Sequence, residues 1–337
     1  MKKRLIGNIE VSEIGMGCMG FSHGYGQVPE ESYSIEAIRK AHDADCTFFD
    51  TAETYGSDLF SPGHNERILG KAVEPFRKDV VLATKLLITP EEYIGKGLTL
   101  YDATRKHLEE SMRNLRTDYV DLYYMHRTHD GIAIENMADA MGRLIIDGLI
   151  RGWGLSQVAV DTLQRANDVT PVSAVQNLYS MVERDVEKDI FPYCLAHNIG
   201  VVPFSPIASG FLSGKVTTET KFADVDDVRK YVPQLSKDNI QANQPILDIL
   251  AVYSAKKNAT NAQISLAWML HKYPNVVPIP GSKNQERILE NLGAANVELT
   301  DDEFAALEEA LDKCTVHGHR GHVESLQNTF GNNWKKK

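Results

Sequence analysis

Tyr119-Val120-Asp121-Leu122-Tyr123-Tyr124-Met125-His126 is a short run, nearly all apolar, that stops on a histidine. Such near-continuous apolar character marks a strand buried on both faces, as in a parallel sheet covered by helices. Similar runs recur at residues 13–18, 47–50, 80–85, 150–156, 173–176, 199–205 and 276–280. Helical patterns separate them. Over residues 101–116, Leu108, Met112 and Leu115 fall on one face with charges opposite. Eight strands alternating with helices predict a parallel (β/α)8 TIM barrel, with a doubly wound open sheet as the alternative. The strand ends favour the barrel. Asp50, Lys85, His126, Ser156, Gln176 and Ser205 are all polar, and barrels build their sites at the carboxyl ends of strands.

The chain of 337 residues suits one large barrel domain spanning residues 1–337. Residues 3–11 read as an N-terminal hairpin around Gly7-Asn8 that covers the barrel bottom. Long loops belong to the opposite, C-terminal face. Residues 207–243 form a long, mostly polar connection of the kind that is a lid, a binding loop or a disordered segment, and residues 315–337 form a C-terminal tail whose end, Trp334-Lys335-Lys336-Lys337, is expected in solvent. A net charge of −10 repels phosphate and anionic membrane, so nucleic acid and membrane are not expected partners. The four cysteines are too scattered for a disulfide framework, and the N-terminus has no secretory pattern; a cytoplasmic setting is expected.

Two signals point elsewhere. Gly15-Met16-Gly17-Cys18-Met19-Gly20 has the spacing of a dinucleotide-binding fingerprint, but that motif needs a helix to start at once, and none is expected before Pro29. A flexible loop over a site is the better reading. Cys314, His317, His319 and His322 could offer zinc ligands, yet their spacing fits no structural zinc pattern, so no metal is expected.

Chemistry concentrates in three segments. Asp50-Thr51-Ala52-Glu53-Thr54-Tyr55-Gly56 puts a carboxylate at a strand end and a tyrosine in the loop after it. Thr84-Lys85 ends the next strand with a buried-type lysine, and Asp121-Leu122-Tyr123-Tyr124-Met125-His126-Arg127 ends the one after with a histidine. These three motifs, in this order, resemble those of the aldo-keto reductase family, over nearly the whole chain. The segments from Ser205 to Lys215 and from Pro278 to Ser282 look closest to bacterial and plant-type reductases of small carbonyl compounds.

The resemblance implies NADPH-dependent reduction of aldehydes or ketones, with Tyr55, Asp50, Lys85 and His126 as the catalytic tetrad. Tyr55 would give the proton, its pKa lowered by Lys85, with Asp50 holding the lysine and His126 orienting the carbonyl oxygen. It further implies that Ser156, Gln157 and Gln176 meet the nicotinamide carboxamide and that Phe204 stacks on the ring; Gln157 departs from the asparagine usual there. Ser205, Ile207, Gly210 and Lys215 would clasp the pyrophosphate. Gly281, Ser282, Lys283, Arg287, Glu290 and Asn291 would receive the adenosine 2′-phosphate end.

The residues alone support part of that last reading. Ser282 with Gln285 forms a capping-box pattern, and a helix N-terminus flanked by Lys283 and Arg287 attracts phosphate. Met19, Phe21, Tyr25, Tyr93 and residues 317–322 are candidates to line a substrate pocket. A nicotinamide-binding redox sensor resembling potassium-channel β-subunits is the competing function, and a Schiff-base lyase using Lys85 is a third. Oligomeric state and substrate are not legible.

Overall fold

The computed structural model describes residues 1–321. Seven of the expected runs form one parallel sheet: β3 (Met16–Gly17), β4 (Phe48–Asp50), β5 (Val81–Leu86), β6 (Val120–Met125), β7 (Ile150–Ser156), β8 (Ala174–Gln176) and β9 (Gly200–Val201). Each pairs with the next in chain order. The eighth run closes the ring. Val277 N–H donates to Val201 O at 2.8 Å and Ile279 N–H to Pro203 O at 3.2 Å, while Gly15 N–H donates to Pro278 O at 2.9 Å. The sheet is therefore a closed (β/α)8 barrel.

Proline explains why two seams are irregular. Pro203, Pro278 and Pro280 have no N–H, so alternate positions cannot donate to a ladder. The expected strand 199–205 shortens to β9, and 276–280 pairs only through bridges and single bonds. At the β3 side of the closing seam the backbones approach closely. A Cβ on Gly17 would lie 2.9 Å from the Ile279 carbonyl oxygen, so the seam needs glycine there.

The main helices are α1 (Glu31–Asp43), α2 (His64–Val73), α3 (Leu100–Leu115), α4 (Ile134–Ile146), α5 (Val160–Val169), α6 (Ile190–Ala196), α7 (Lys237–Ala242), α8 (Gln244–Lys257), α9 (Asn261–Lys272), α10 (Gln285–Leu292) and α11 (Asp301–Asp312). Only a single 3₁₀ turn, Met19–Phe21, precedes α1 after the glycine-rich stretch, which is not a dinucleotide fingerprint. Among the described residues no helix is long and apolar enough to cross a membrane.

Two apolar layers hold the barrel. The larger packs helices on the outer strand faces, and the smaller fills the interior with Phe48, Val81, Ala83, Leu122, Tyr124, Ala174, Val202, Val277 and Ile279. The N-terminal hairpin, β1 (Lys3–Ile6) and β2 (Ile9–Ser12), adds Ile6, Ile9 and Val11 to the interior group. It sits at the strands' N-terminal ends: Ser12 N–H donates to Thr47 Oγ1 at 2.9 Å, just before β4. Gly7 turns with a φ of +57° against Ser173, just before β8.

The long connection is more ordered than its polarity implies. It holds a kinked 3₁₀ segment (Ala208–Ser213), two more 3₁₀ turns (Val228–Tyr231 and Pro233–Leu235) and α7. The start of the C-terminal tail is anchored where it is described. Asn243 exchanges hydrogen bonds with the His317 backbone at 2.8 Å each way, and Gln234 N–H donates to His319 O at 3.1 Å. The rest of that tail, with His322 and the end at Trp334–Lys337 expected in solvent, lies outside the described residues.

Candidate active site

Asp50 is the last residue of β4, Lys85 stands one residue from the end of β5, and His126 follows β6 directly. Parallel register therefore brings their side chains to one mouth of the barrel. Lys85 is fully buried, with Nζ bonded to the Asp50 carboxylate, to Thr51 O at 2.7 Å and to Tyr55 Oη at 3.2 Å. Gln176, ending β8, donates to the other Asp50 oxygen at 2.8 Å. The Tyr55 and His126 rings meet edge-on, with centroids 5.7 Å apart. Thr54 Oγ1 lies 3.5 Å from His126 Nδ1.

The electrostatics follow from burial opposed by close partners. Burial pushes the Asp50 carboxyl up, and Lys85 with Gln176 pulls it back. Burial acts to strip the proton from Lys85, but Asp50 and Tyr55 outweigh it and hold the ammonium charged. A charged, fully bonded ammonium is a poor nucleophile, which speaks against Schiff-base chemistry. Tyr55 departs from the sequence-based expectation. Burial raises its pKa by more than Lys85 lowers it. The phenol thus keeps its proton, as a donor must, while Lys85 stabilises the phenolate left after transfer. Burial, then Arg127, Lys85 and His23, push His126 well down, leaving a neutral imidazole.

Further round the mouth, Ser156 ends β7 and its Oγ accepts from Arg127 at 2.9 Å, and its hydroxyl proton has no acceptor among the described residues. Gln157 adopts a φ of +54°, and its side-chain oxygen accepts from Leu178 N–H at 3.1 Å, so that oxygen is committed to the backbone. Phe204, half-buried, packs against the top of the barrel interior. Ser205, Ala208 and Ser209 all have left-handed backbones, and Gly210 has a φ of +97°. Ile207 immediately precedes the kinked 3₁₀ segment that follows, and Ser209 Oγ is buried in it without a partner among the described residues. Strained residues and an orphaned hydroxyl in one turn could meet a ligand there.

Lys215 and Glu290, expected at different ends of a bound dinucleotide, form an ion pair at 2.8 Å. Gly281 bridges to Gly17, and Asn291 is buried on α10. The expected capping box is not formed. Asn284 caps α10, its Oδ1 accepting from Arg287 N–H at 2.9 Å, and Ser282 Oγ accepts from Asn284 N–H at 3.1 Å. Asparagine caps as well as serine, and the helix begins at Gln285 rather than after Ser282. Gln285 N–H is also taken, by Tyr33 Oη at 3.1 Å. Positive charge here therefore rests on side chains more than on free N–H groups. Lys283 Nζ donates to Tyr25 O and Gln27 O at 2.7 and 2.6 Å, whereas Arg287 is exposed with no side-chain partner among the described residues.

Of the candidate pocket residues, Phe21 is completely buried in the outer core, while Met19, Tyr25 and Tyr93 are half-buried. Tyr25 lies under Arg229 of the long connection, with the guanidinium 5.3 Å from its ring centre. Among the described residues no group of three His, Cys, Asp or Glu could hold a metal ion.

Sequence reasoning missed Glu53 and His107. Glu53 accepts from Leu87 N–H at 2.7 Å and from His107 Nδ1 at 2.8 Å, and Glu92 meets His107 Nε2 at 2.9 Å. His107 on α3 thereby joins the loop carrying Tyr55 to the loop after β5. Nothing in the helical pattern of α3 distinguishes this histidine, because its partners lie 54 and 15 residues away.

A sequence profile described as the aldo/keto reductase family matches residues 13–312. A Glycine max protein named "Probable aldo-keto reductase 1" is 34% identical over 315 residues, covering 92% of this chain and 88% of its own length. Among solved structures, a glycerol dehydrogenase from Gluconobacter oxydans superposes with a TM-score of 0.81 at 26% identity, covering 94% of this chain and 96% of its own. An aldo/keto reductase from Klebsiella pneumoniae, in complex with NADP and acetate, gives 0.70 at 28% identity over 94% of this chain and 97% of its own.

Proposed function

The chain belongs to the aldo/keto reductase family, and from that membership we propose that it reduces aldehydes or ketones to alcohols with NADPH, Tyr55 giving the proton. Klebsiella pneumoniae relatives in complex with NADP and NADPH support the choice of cofactor. The orphaned Ser209 hydroxyl and its left-handed neighbours fit a pyrophosphate, and the free Ser156 proton fits a carboxamide oxygen. When bound, NADPH supplies a hydride to the carbonyl carbon.

The remaining work falls to this chain's own residues. Charge arriving on the carbonyl oxygen needs a proton donor and a second polar contact within about 3 Å. The Tyr55 phenol is the donor, and neutral His126 is the contact that orients the oxygen. Lys85, at 3.2 Å, stabilises the phenolate as the proton leaves, and Asp50 with Gln176 fixes the lysine. The Tyr55–Lys85 contact at a shared strand-end mouth is the observation that carries this reading. On the cofactor side, Phe204 would face the nicotinamide ring, and Ser205, Ile207, Gly210 and Lys215 the pyrophosphate. Gly281, Ser282, Lys283, Arg287, Glu290 and Asn291 would hold the adenosine end.

A panel of aldehydes and ketones, scored by NADPH consumption, tests the proposal. Turnover of at least one small carbonyl compound is expected. Tight NADPH binding with no reduction across a broad panel would favour a nicotinamide-binding regulatory subunit instead. The four unbonded cysteines, three of them buried, support a reducing, cytoplasmic setting.

A further inference from the structure

Arg127 follows His126 just past the end of β6, and only one of its side-chain nitrogens is used. Nη1 donates to His126 O at 2.5 Å and to Ser156 Oγ at 2.9 Å, both neutral acceptors. Nε and Nη2 bond nothing among the described residues, and neither is sealed from water. Solvent reaches this part of the mouth, where Tyr55, His126 and Arg127 are each half-buried rather than enclosed. Nε and Nη2 form the guanidinium edge with two parallel N–H groups, the geometry that grips a carboxylate through paired hydrogen bonds.

Elsewhere in this chain the same edge holds a carboxylate. Arg184 donates through Nε and Nη2 to the two oxygens of Glu187, at 3.1 Å each. Arg229 does the same to Asp227, at 2.8 and 2.6 Å. Both arginines are half-buried, as Arg127 is. Arg127 has no carboxylate of its own. At the mouth, Asp50 is taken by Lys85 and Gln176, and Glu53 by Leu87 N–H and His107. Burial lowers the Arg127 pKa, and only Tyr55 opposes it. A guanidinium stays charged even so, and a half-buried cation that meets only neutral groups destabilises the fold until an anion completes it. Holding His126 O and Ser156 requires one nitrogen, so that contact leaves the open edge unexplained.

The substrate can supply that anion. Arg127 adjoins His126 and lies close enough to Tyr55 to act on its charge, so it stands beside both groups that meet the carbonyl oxygen. The nicotinamide carboxamide proposed for Ser156 is neutral and would leave the cation unmatched. Against a net charge of −10 for the chain, an unbalanced cation at the mouth is a local exception that favours an anion over its uncharged counterpart. Resting on the reductase reading, we infer that Arg127 is a specificity residue whose Nε–Nη2 edge selects carbonyl substrates bearing a carboxylate, the oxo acids, over uncharged aldehydes.

The test uses two pairs of equal chain length, 4-oxobutanoate with butanal and glyoxylate with acetaldehyde. Each is reduced with NADPH by the parent, Arg127→Gln and Arg127→Lys, and NADPH binding by fluorescence quenching confirms that each variant is folded. The parent should favour the acid in kcat/KM in at least one pair. That preference should fall at least about tenfold in Arg127→Gln, chiefly through KM, because charge-assisted hydrogen bonds to the carboxylate are lost. Arg127→Lys, which keeps the charge without the paired N–H edge, should recover part of it. Succinate, which has carboxylates and no reducible carbonyl, should inhibit the parent competitively with butanal and inhibit Arg127→Gln far less. A parent with no preference in either pair, or an Arg127→Gln variant that keeps the parent's preference, overturns the assignment while leaving the reductase reading intact. So does an Arg127→Gln variant that loses NADPH affinity with the acid-to-aldehyde ratio unchanged, which would assign the guanidinium to the cofactor. A parent that binds NADPH and reduces neither these compounds nor any other carbonyl overturns the reductase reading itself.

Discussion

At the scale of single residues, Tyr55 and His107 do separable work. Tyr55→Phe removes one oxygen and leaves the ring edge-on to His126. Loss of a general acid typically costs about 10²–10⁴ in rate, so carbonyl reduction should fall by that order while NADPH titration stays near the parent curve. Parent-rate turnover of an aldehyde by the variant would remove Tyr55 from the mechanism. His107 offers a pH readout. Burial lowers its pKa, but Glu53 and Glu92 together outweigh burial and raise it from 6.5 to about 9. A raised pKa means that the folded state binds the proton more tightly, so the stabilisation is complete below 6.5 and is lost as pH climbs through about 9. Thermal melts should therefore show the parent losing stability over that window and His107→Gln showing a shallower fall. Parallel curves for the two proteins would mean that the imidazolium does not join these loops in solution.

At the scale of elements, the sequence was most readable where periodicity and polar ends coincided. β6 lies inside the run that decides the fold, and its single interior charge, Asp121, is fully buried. Asp121 accepts from Leu82 N–H at 3.0 Å and from Arg77 and Arg151 at 2.9 and 2.7 Å, so the exception to the apolar pattern is satisfied by partners distant in sequence. Long-range pairing of this kind leaves no local signature. The same holds for Glu53 with His107. Helix starts were less readable, because Ser282 and Asn284 are both competent caps, and only the fold decides that Asn284 closes α10. That choice changes the phosphate argument. Two of the first three N–H groups of α10 are already bonded, and Lys283 is held by backbone carbonyls, which leaves Arg287 as the available charge. A charge-assisted hydrogen bond is worth roughly 1.5–3 kcal/mol, so Arg287→Ala should weaken NADPH by at least about tenfold. NADH, which lacks the 2′-phosphate, should change far less. Equal losses for both cofactors would place that phosphate elsewhere.

At the scale of the whole molecule, the barrel separates what stabilises it from what reacts. Asp50, Lys85, His126, Ser156 and Gln176 sit at or beside the carboxyl ends of their strands, while the hairpin meets the opposite ends. Ile6 is fully buried under the interior layer, beside Gly200 at the start of β9, where an added Cβ would come within 2.9 Å of it. Lys3 Nζ donates to Thr47 Oγ1 at 3.1 Å, and Arg4 donates to Val276 O at 2.9 Å, just where β4 and the closing run begin. The hairpin therefore closes the bottom of the interior and ties the second barrel strand, β4, to the closing run. Truncating a buried isoleucine to alanine usually costs about 2–5 kcal/mol, because the lost contacts leave a cavity that the surroundings fill only partly. Ile6→Ala should lower the unfolding free energy by that amount in denaturant titration. Because the reacting groups lie a strand length away, kcat/KM measured well below the melting temperature should match the parent. A variant equally stable would show that the hairpin does not plug the barrel. One that is destabilised and also catalytically impaired would show that the two mouths are coupled through the interior layer, with Phe48, Ala83 and Tyr124 as the connecting side chains.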